Sequence, residues 1–287
     1  MQANKEIEAL LQLLDDPDQE VFQEISKRIL SLGKNIIPNL EGYWEHSRNN
    51  DVQKKIEHII QHIQHNELEN LFKDWVSAEK PSLTMGAILL AKFIFPEVDE
   101  ASIRKSLKNI YQSCWLELYQ YLTPLEEAQI INSIFFNMFK FQSFEIDENK
   151  PNHFYINQVL ETRHGNPYSI GLIYQIICEL LDIPIYTIQL PKQFLLAYIK
   201  TTEIDQTPNK KNIQFYIDPN SGTIYSQIDI DAYLKKYDFV IDENHFIPLN
   251  AKHALLSNIE ALAFVYEQLN MLDKVDSLKK IIALFYS

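Results

Sequence analysis

Only six of the 287 residues are glycine, and that scarcity constrains the fold more than any other single feature. Glycine supplies the positive φ angles that tight hairpins and turn-dense all-β folds consume, at a usual share of about 7%. A chain this poor in it has to spend its length on helix. Apolar residues support the same reading, since over most of the chain they recur at helical spacing. Val21, Ile25, Ile29 and Leu32 align with Val52, Ile56, Ile60 and Ile63 at a constant offset of 31, each set introduced by an acidic or amide turn (Asp15 to Asp18; Asn49 to Asp51). Side-by-side helix-turn-helix units of a degenerate HEAT type would produce this, with Gly33 closing one helix and Pro38 opening the next. An ordinary helical subdomain gives the same periodicity.

Further helices are expected over Leu68 to Ala78, Leu83 to Phe95, Ile103 to Leu122 and Leu125 to Phe141. Thr123-Pro124 followed by Glu126 and Glu127 marks one start. Near residue 184 the pattern changes. Pro184 to Leu190, Phe194 to Ile199 and Ile213 to Ile217 are short β-branched and aromatic runs, separated by Pro191-Lys192-Gln193 and a polar loop over Thr201 to Asn212. Antiparallel strands are expected there, and two amphipathic helices, Ala254 to Leu269 and Leu272 to Phe285, close the chain as a hairpin. The fold class is α+β, mostly helical.

Charge and cysteine content exclude some functions. With 26 Lys+Arg against 39 Asp+Glu the net charge is −13, and only four cations are Arg, so phosphate-backbone binding is not expected. Two cysteines, Cys114 and Cys178, make no disulfide framework, acidic residues interrupt the N-terminal segment, and no stretch reaches the ~20 apolar residues of a spanning helix. These features suggest a cytoplasmic protein with no membrane or nucleic-acid partner. His58, His62 and His65 fall on one helical face at i, i+4 and i+7. Without a second segment to complete a ligand set, they read as a solvated face, and no metal or cofactor is expected.

The most informative stretch is Val159 to Ile170, VLETRHGNPYSI. Asn166 suits an N-cap and Pro167 the first helical position, so Ser169 falls in the first turn of a buried helix. Backbone N–H groups converge at such a terminus and lower the pKa of a thiol placed there. Together with Pro191-Lys192-Gln193-Phe194 and Ile217-Asp218-Pro219-Asn220-Ser221-Gly222, in this order and separation, the stretch resembles the SirB-type bacterial family. The motifs of that family are V-L-x-R-R-x-G-x-P-x-S-L, P-G-H-F and I-D-P-F-x-G-G. The resemblance runs from about Leu83 to the C-terminal hairpin. It implies a transglutaminase/papain-like core with a small antiparallel sheet over 81–250 and a tetratricopeptide-like helical hairpin over 251–287, following the helical, HEAT-like repeat region that the periodicity gives over 1–80.

In transglutaminase-like enzymes the three motifs carry a Cys nucleophile, a His base and an orienting Asp. Here Ser169, Gln193 and Asp218 hold those places. A serine hydroxyl has no appreciable alkoxide at neutral pH without a base, and a carboxamide cannot take and return a proton. Loss of such a group costs roughly 10⁴- to 10⁶-fold in turnover. Lys192 also stands where the family has glycine. Cys178 lies about 900° of helical rotation from Ser169, on the opposite face. The resemblance therefore implies a non-catalytic module that binds a protein or peptide, with Asn166, Pro167, His164 and Lys192 as candidate binding residues. The alternative is an amide or ester hydrolase or acyl transferase in which Ser169 works with His164 or an unrecognised base.

Overall fold

In the computed structural model the described residues are 7, 9–15, 18–144, 146, 150–200, 210–240 and 242–286. The chain divides into two units, Met1–Lys73 and Asp74–Ser287. The polar loop expected at 201–212 lies outside the described residues as far as 209, as do residues 16–17 of the first acidic turn.

The first unit holds helices α1 (Gln19–Ser31), α2 (Ile37–His46) and most of α3 (Asn50–Ser77). Asp18 caps α1 by accepting the Glu20 N–H at 2.9 Å. Gly33 has φ +64 and opens a 3₁₀ turn, after which Pro38 enters the first turn of α2. Val52, Ile56, Ile59 and Ile63 of α3 bury the inward stripe against Leu14, Ile29, Ile36 and Leu40. The helix expected to begin at Leu68 is no separate element. No breaker stands between Asn50 and Ser77, so one helix runs through.

In the second unit α4 (Leu83–Lys92), capped by Ser82, is buried from Gly86 to Ala91. Gly86 admits no side chain, because a Cβ there would come within 2.6 Å of Trp75 and 2.7 Å of Leu255. α5 (Glu100–Glu117) and α6 (Pro124–Asn132) follow, the latter started by a reciprocal Thr123/Glu126 capping box. The continuous helix expected to Phe141 is interrupted. Ser133–Met138 is a π turn, and Phe135 there packs at 4.7 Å from the Tyr174 ring and 5.3 Å from Phe141.

Then come β1 (Gln142–Ser143), α7 (Ile156–Thr162), β2 (His164–Gly165) and α8 (Pro167–Leu180). β1 and β2 pair in parallel. Four antiparallel strands, β3 (Ile185–Leu190), β4 (Gln193–Ile199), β5 (Ile213–Ile217) and β6 (Ile224–Tyr225), form a sheet in sequence order.

Side chains alternate along these strands, so the sheet has two distinct faces. One carries Ile188, Leu190, Leu195, Ala197, Ile213 and Tyr216, buried with Ile230 and Leu234 of α9 (Gln227–Lys236). The other receives α8, whose Gln175 carboxamide oxygen accepts the Thr187 N–H at 2.9 Å and the Thr187 hydroxyl at 2.7 Å. Helices α10 (Ala251–Gln268) and α11 (Leu272–Ala283) end the chain, packed on each other, with α10 also against α4 and α8. Among the described residues no helix is long and apolar enough to cross a membrane. The molecule is mostly helical, with small sheets.

Candidate functional site

The start of α8 gathers the three sequence motifs. Every residue from Ser169 to Cys178 is buried, as expected of a helix apolar all round. Asn166 caps it. The Asn166 carboxamide oxygen accepts the Ser169 N–H at 3.0 Å, and the Ser169 hydroxyl oxygen accepts the Asn166 N–H at 3.0 Å. The same hydroxyl donates to the Asn166 carbonyl at 3.3 Å. Pro167 occupies the first turn, where its missing N–H loses nothing. Ser169, 2% exposed, thus spends its donor and an acceptor on closing the helix. A Cβ on Gly165 would sit 2.7 Å from Ser169 Oγ, so backbone closes that side of the hydroxyl.

The third motif lies close by. Gly165 pairs with Ser143, and the Ser143 hydroxyl donates to Asn220 Oδ1 at 2.6 Å. Asn132 donates to the Gly222 carbonyl at 2.8 Å and accepts from the Tyr174 hydroxyl at 3.1 Å, tying the turn to α6 and α8. Within the turn Asp218 Oδ1 accepts the Asn220 N–H at 2.8 Å, Oδ2 accepts from the Ser221 hydroxyl at 3.4 Å, and the Asp218 carbonyl accepts the Gly222 N–H at 2.7 Å. The carboxylate builds its own turn.

The second motif is placed through Phe194. Its ring lies 4.6 Å from that of Tyr168 and would come within 2.8 Å of a Cβ on Gly171. Phe194 pairs with Gln189, and both lie on the sheet face that α8 covers. Gln193 pairs with Leu190, so alternation sends it to the opposite face, with Leu195 and Ala197. The carboxamide on the Ser169 side of the sheet is Gln189, whose Nε2 donates to the carbonyls of Leu190 at 3.1 Å and Gln193 at 3.3 Å. Sequence reasoning missed Gln189 because a single strand motif does not reveal which way its residues face.

Lys192 has φ +59 at the tip of the β3–β4 hairpin, a conformation that favours glycine. His164 is exposed, its ring edge-on to Phe144 at 5.4 Å, while His153 stacks on the other ring contact of Phe144 at 5.6 Å. A cleft of about 310 Å³ lined by Lys150, Asn152, His153, Gln158, Thr162 and His164 opens there. The His164 ring therefore belongs to this cleft, and the Ser169 hydroxyl is engaged with Asn166. Arg163, between the two, holds its guanidinium 5.4 Å from the Phe139 ring and 5.1 Å from Phe141, and burial lowers its pKa.

Both thiols are buried and free. Burial pushes Cys114 up to about 12, and Cys178 well above its ordinary value, with the nearby Cys114 and Glu179 adding to the effect. Neither is a thiolate at neutral pH. Among the described residues no group of three or more His, Cys, Asp or Glu is arranged to hold a metal ion, and His58 and His62 lie exposed on α3.

This arrangement, a buried helix whose start meets a small antiparallel sheet and a following Asp-Pro turn, agrees with the comparison to known families. A match to the Transglutaminase-like superfamily covers residues 101–258, more than half of the 287, and the chain belongs to that superfamily. Among curated proteins it is 26% identical over 129 residues to a UPF0162 protein of Xylella fastidiosa, covering 42% of this chain and 43% of that one. It is 24% identical over 98 residues to a UPF0162 protein of Pasteurella multocida, covering 34% and 37%. Similarity to F-box only protein 21 of Pongo abelii is 32% over 73 residues, 25% of this chain and 12% of that protein. The chain thus spans less than half the length of each of these relatives. No solved structure matches it significantly.

Proposed function

We propose that this is a non-catalytic transglutaminase-like protein of the SirB type, acting as a binding or regulatory module for a protein or peptide. The observation that carries this reading is the use of Ser169 as a structural cap. A nucleophilic hydroxyl needs a base within about 3.2 Å, whereas this one is bonded twice to the Asn166 backbone and closed in by Gly165. Asp218 is committed to its own turn, and the Gln193 position offers no proton acceptor. The scaffold of the superfamily is kept while the groups that would move a proton are turned to folding. On this reading the first helices form a degenerate HEAT-type pair and α10–α11 a tetratricopeptide-like hairpin, both architectures suited to presenting surfaces to partners.

Two measurements test it together. The folded chain is treated with a fluorophosphonate and an acyl probe and digested for mass spectrometry, with no Ser169 adduct expected. Partners captured by the wild type are then compared with those of His164→Ala and Lys192→Glu, which are expected to lose at least one interaction. A Ser169 adduct, or a partner set unmoved by both substitutions, overturns the reading.

A further inference from the structure

The middle of α5 (Glu100–Glu117) presents a surface that the Ser169 region does not use. Arg104, Lys108, Tyr111 and Trp115 are spaced i, i+4, i+7 and i+11, which places them on one face within about 60° of each other and over about 16 Å of helix. Beside this face runs a groove of about 390 Å³, bordered by Thr84, Leu107, Tyr111 and Leu180 with Arg104 and Lys108 at its rim. At the C-terminal end of this helix and just past it, large apolar side chains are open to solvent. Trp115 is 60% exposed, Leu116 73%, Tyr119 71% and Tyr121 97%. Scattered exposed apolar residues are ordinary, but Trp115 stands one helical turn beyond Tyr111, which borders the groove, so an exposed aromatic extends the groove's apolar wall.

The charges identify what the patch accepts. The chain carries −13 overall, yet between Glu100 and Glu117 the helix bears Arg104, Lys105 and Lys108 and no acid. Glu100 lies 3.7 Å from Arg104, at the far end of the stripe from Trp115, and also 2.7 Å from Lys92. A cationic rim around an apolar, aromatic trough complements an acidic segment with apolar anchors. A second copy of this face would add three more cations, Arg104, Lys105 and Lys108, and no acid between Glu100 and Glu117 to meet them. An anionic membrane would repel the −13 body, and it would leave the groove unfilled.

We propose that the α5 face of Arg104, Lys108, Tyr111 and Trp115, with its adjoining groove, docks an acidic amphipathic segment of a partner protein. Apolar anchors of that segment fill the trough toward Leu107 and Leu180, and its carboxylates meet Arg104 and Lys108. The surface is independent of the Ser169 region, so its failure and that of the proposed function are separate results.

The test is selection of a phage-displayed library of random 12-residue peptides on the full chain, followed by synthesis of the enriched peptides. Asp or Glu interleaved with Leu or aromatic residues should be enriched. Affinity should fall about tenfold or more for Arg104→Glu/Lys108→Glu and for Trp115→Ala, and should weaken as salt rises from about 0.1 to 1 M, where the Debye length shrinks from about 10 to 3 Å. Arg104, Lys108 and Trp115 are all exposed, and circular dichroism checks that each variant stays folded. No enrichment, enriched peptides without acids, or affinities unmoved by these substitutions overturn the proposal. So would sedimentation showing a dimer that Trp115→Ala dissolves, or binding of phosphatidylserine vesicles that Trp115→Ala abolishes.

Discussion

Cys114 and Cys178 show how far burial alone can determine what a residue does. A free thiol becomes a nucleophile only as a thiolate, and desolvation holds both well above their ordinary range, Cys114 at about 12. The consequence for stability follows from the direction of that shift. The unfolded chain releases the Cys114 proton near 9, whereas the folded chain keeps it until about 12. The contribution is therefore whole below pH 9 and is lost progressively between 9 and 12, because only the unfolded state gains by ionising there. The loss has a ceiling of about 4 kcal/mol, reached only above pH 12, since the thiol is fully buried. Raised tyrosines such as Tyr198 and Tyr216 add to the same alkaline decline. Urea midpoints measured from pH 8 to 11 should fall more gently for Cys114→Ala than for the wild type, by a difference of about 2–3 kcal/mol across the window. Parallel curves would mean that the thiol makes no differential contribution. A disulfide reagent at pH 8 should likewise leave both thiols untouched until the chain unfolds.

At the scale of single elements the β3–β4 hairpin gives a clean measurement. Pro191 has φ near −65° by its ring, and Lys192 follows at φ +59, the pattern of a turn whose second central residue favours glycine. A left-handed conformation costs a non-glycine residue roughly 1 kcal/mol, part of which glycine forfeits through its freer unfolded chain. Lys192→Gly should therefore raise stability by about 0.5 kcal/mol, while Lys192→Val, β-branched, should lower it by about 1 kcal/mol or more. A valine variant as stable as the glycine one would remove the argument from turn geometry. What the sequence made legible among these elements was local chemistry. The caps at Thr123 and Asn166, the Pro positions of α2, α6 and α8, and three of the four strands in the larger sheet all follow from neighbours within a few residues. The elements it did not disclose depend on distant partners. The two-residue pairing of β1 with β2 exists only because Phe141 and Ser143 are brought beside Arg163 and Gly165, and the π turn at Ser133–Met138 accompanies the packing of Phe135 on Tyr174. The facing of Gln193 belongs to the same class, since moving a strand by one residue exchanges its two faces and the motif carries no record of register. The candidate site was readable as a helix start and a turn, and unreadable as a set of directions.

For the molecule as a whole, the division at Lys73 separates two hydrophobic cores of unequal size. Leu14, Ile29, Ile36, Leu40, Ile56 and Ile63 are the heart of the first, in a unit of a length at which one core seldom supplies more than about 3–5 kcal/mol. The second unit contains α8, buried along nearly its whole length, and both faces of the larger sheet. A larger fraction of its surface leaves water on folding, so it should be the more stable of the two. Calorimetry of the full chain is expected to show two transitions, the first belonging to residues 1–73. Ile56→Ala and Ile177→Ala each empty a fully buried site, and such truncations cost about 2–5 kcal/mol. The first should lower only the earlier transition, enough to bring that unit near the limit of folding, and the second only the later one. A single transition displaced by both substitutions would show instead that α3, which continues from Asn50 past Lys73 to Ser77, joins the two cores into one cooperative unit.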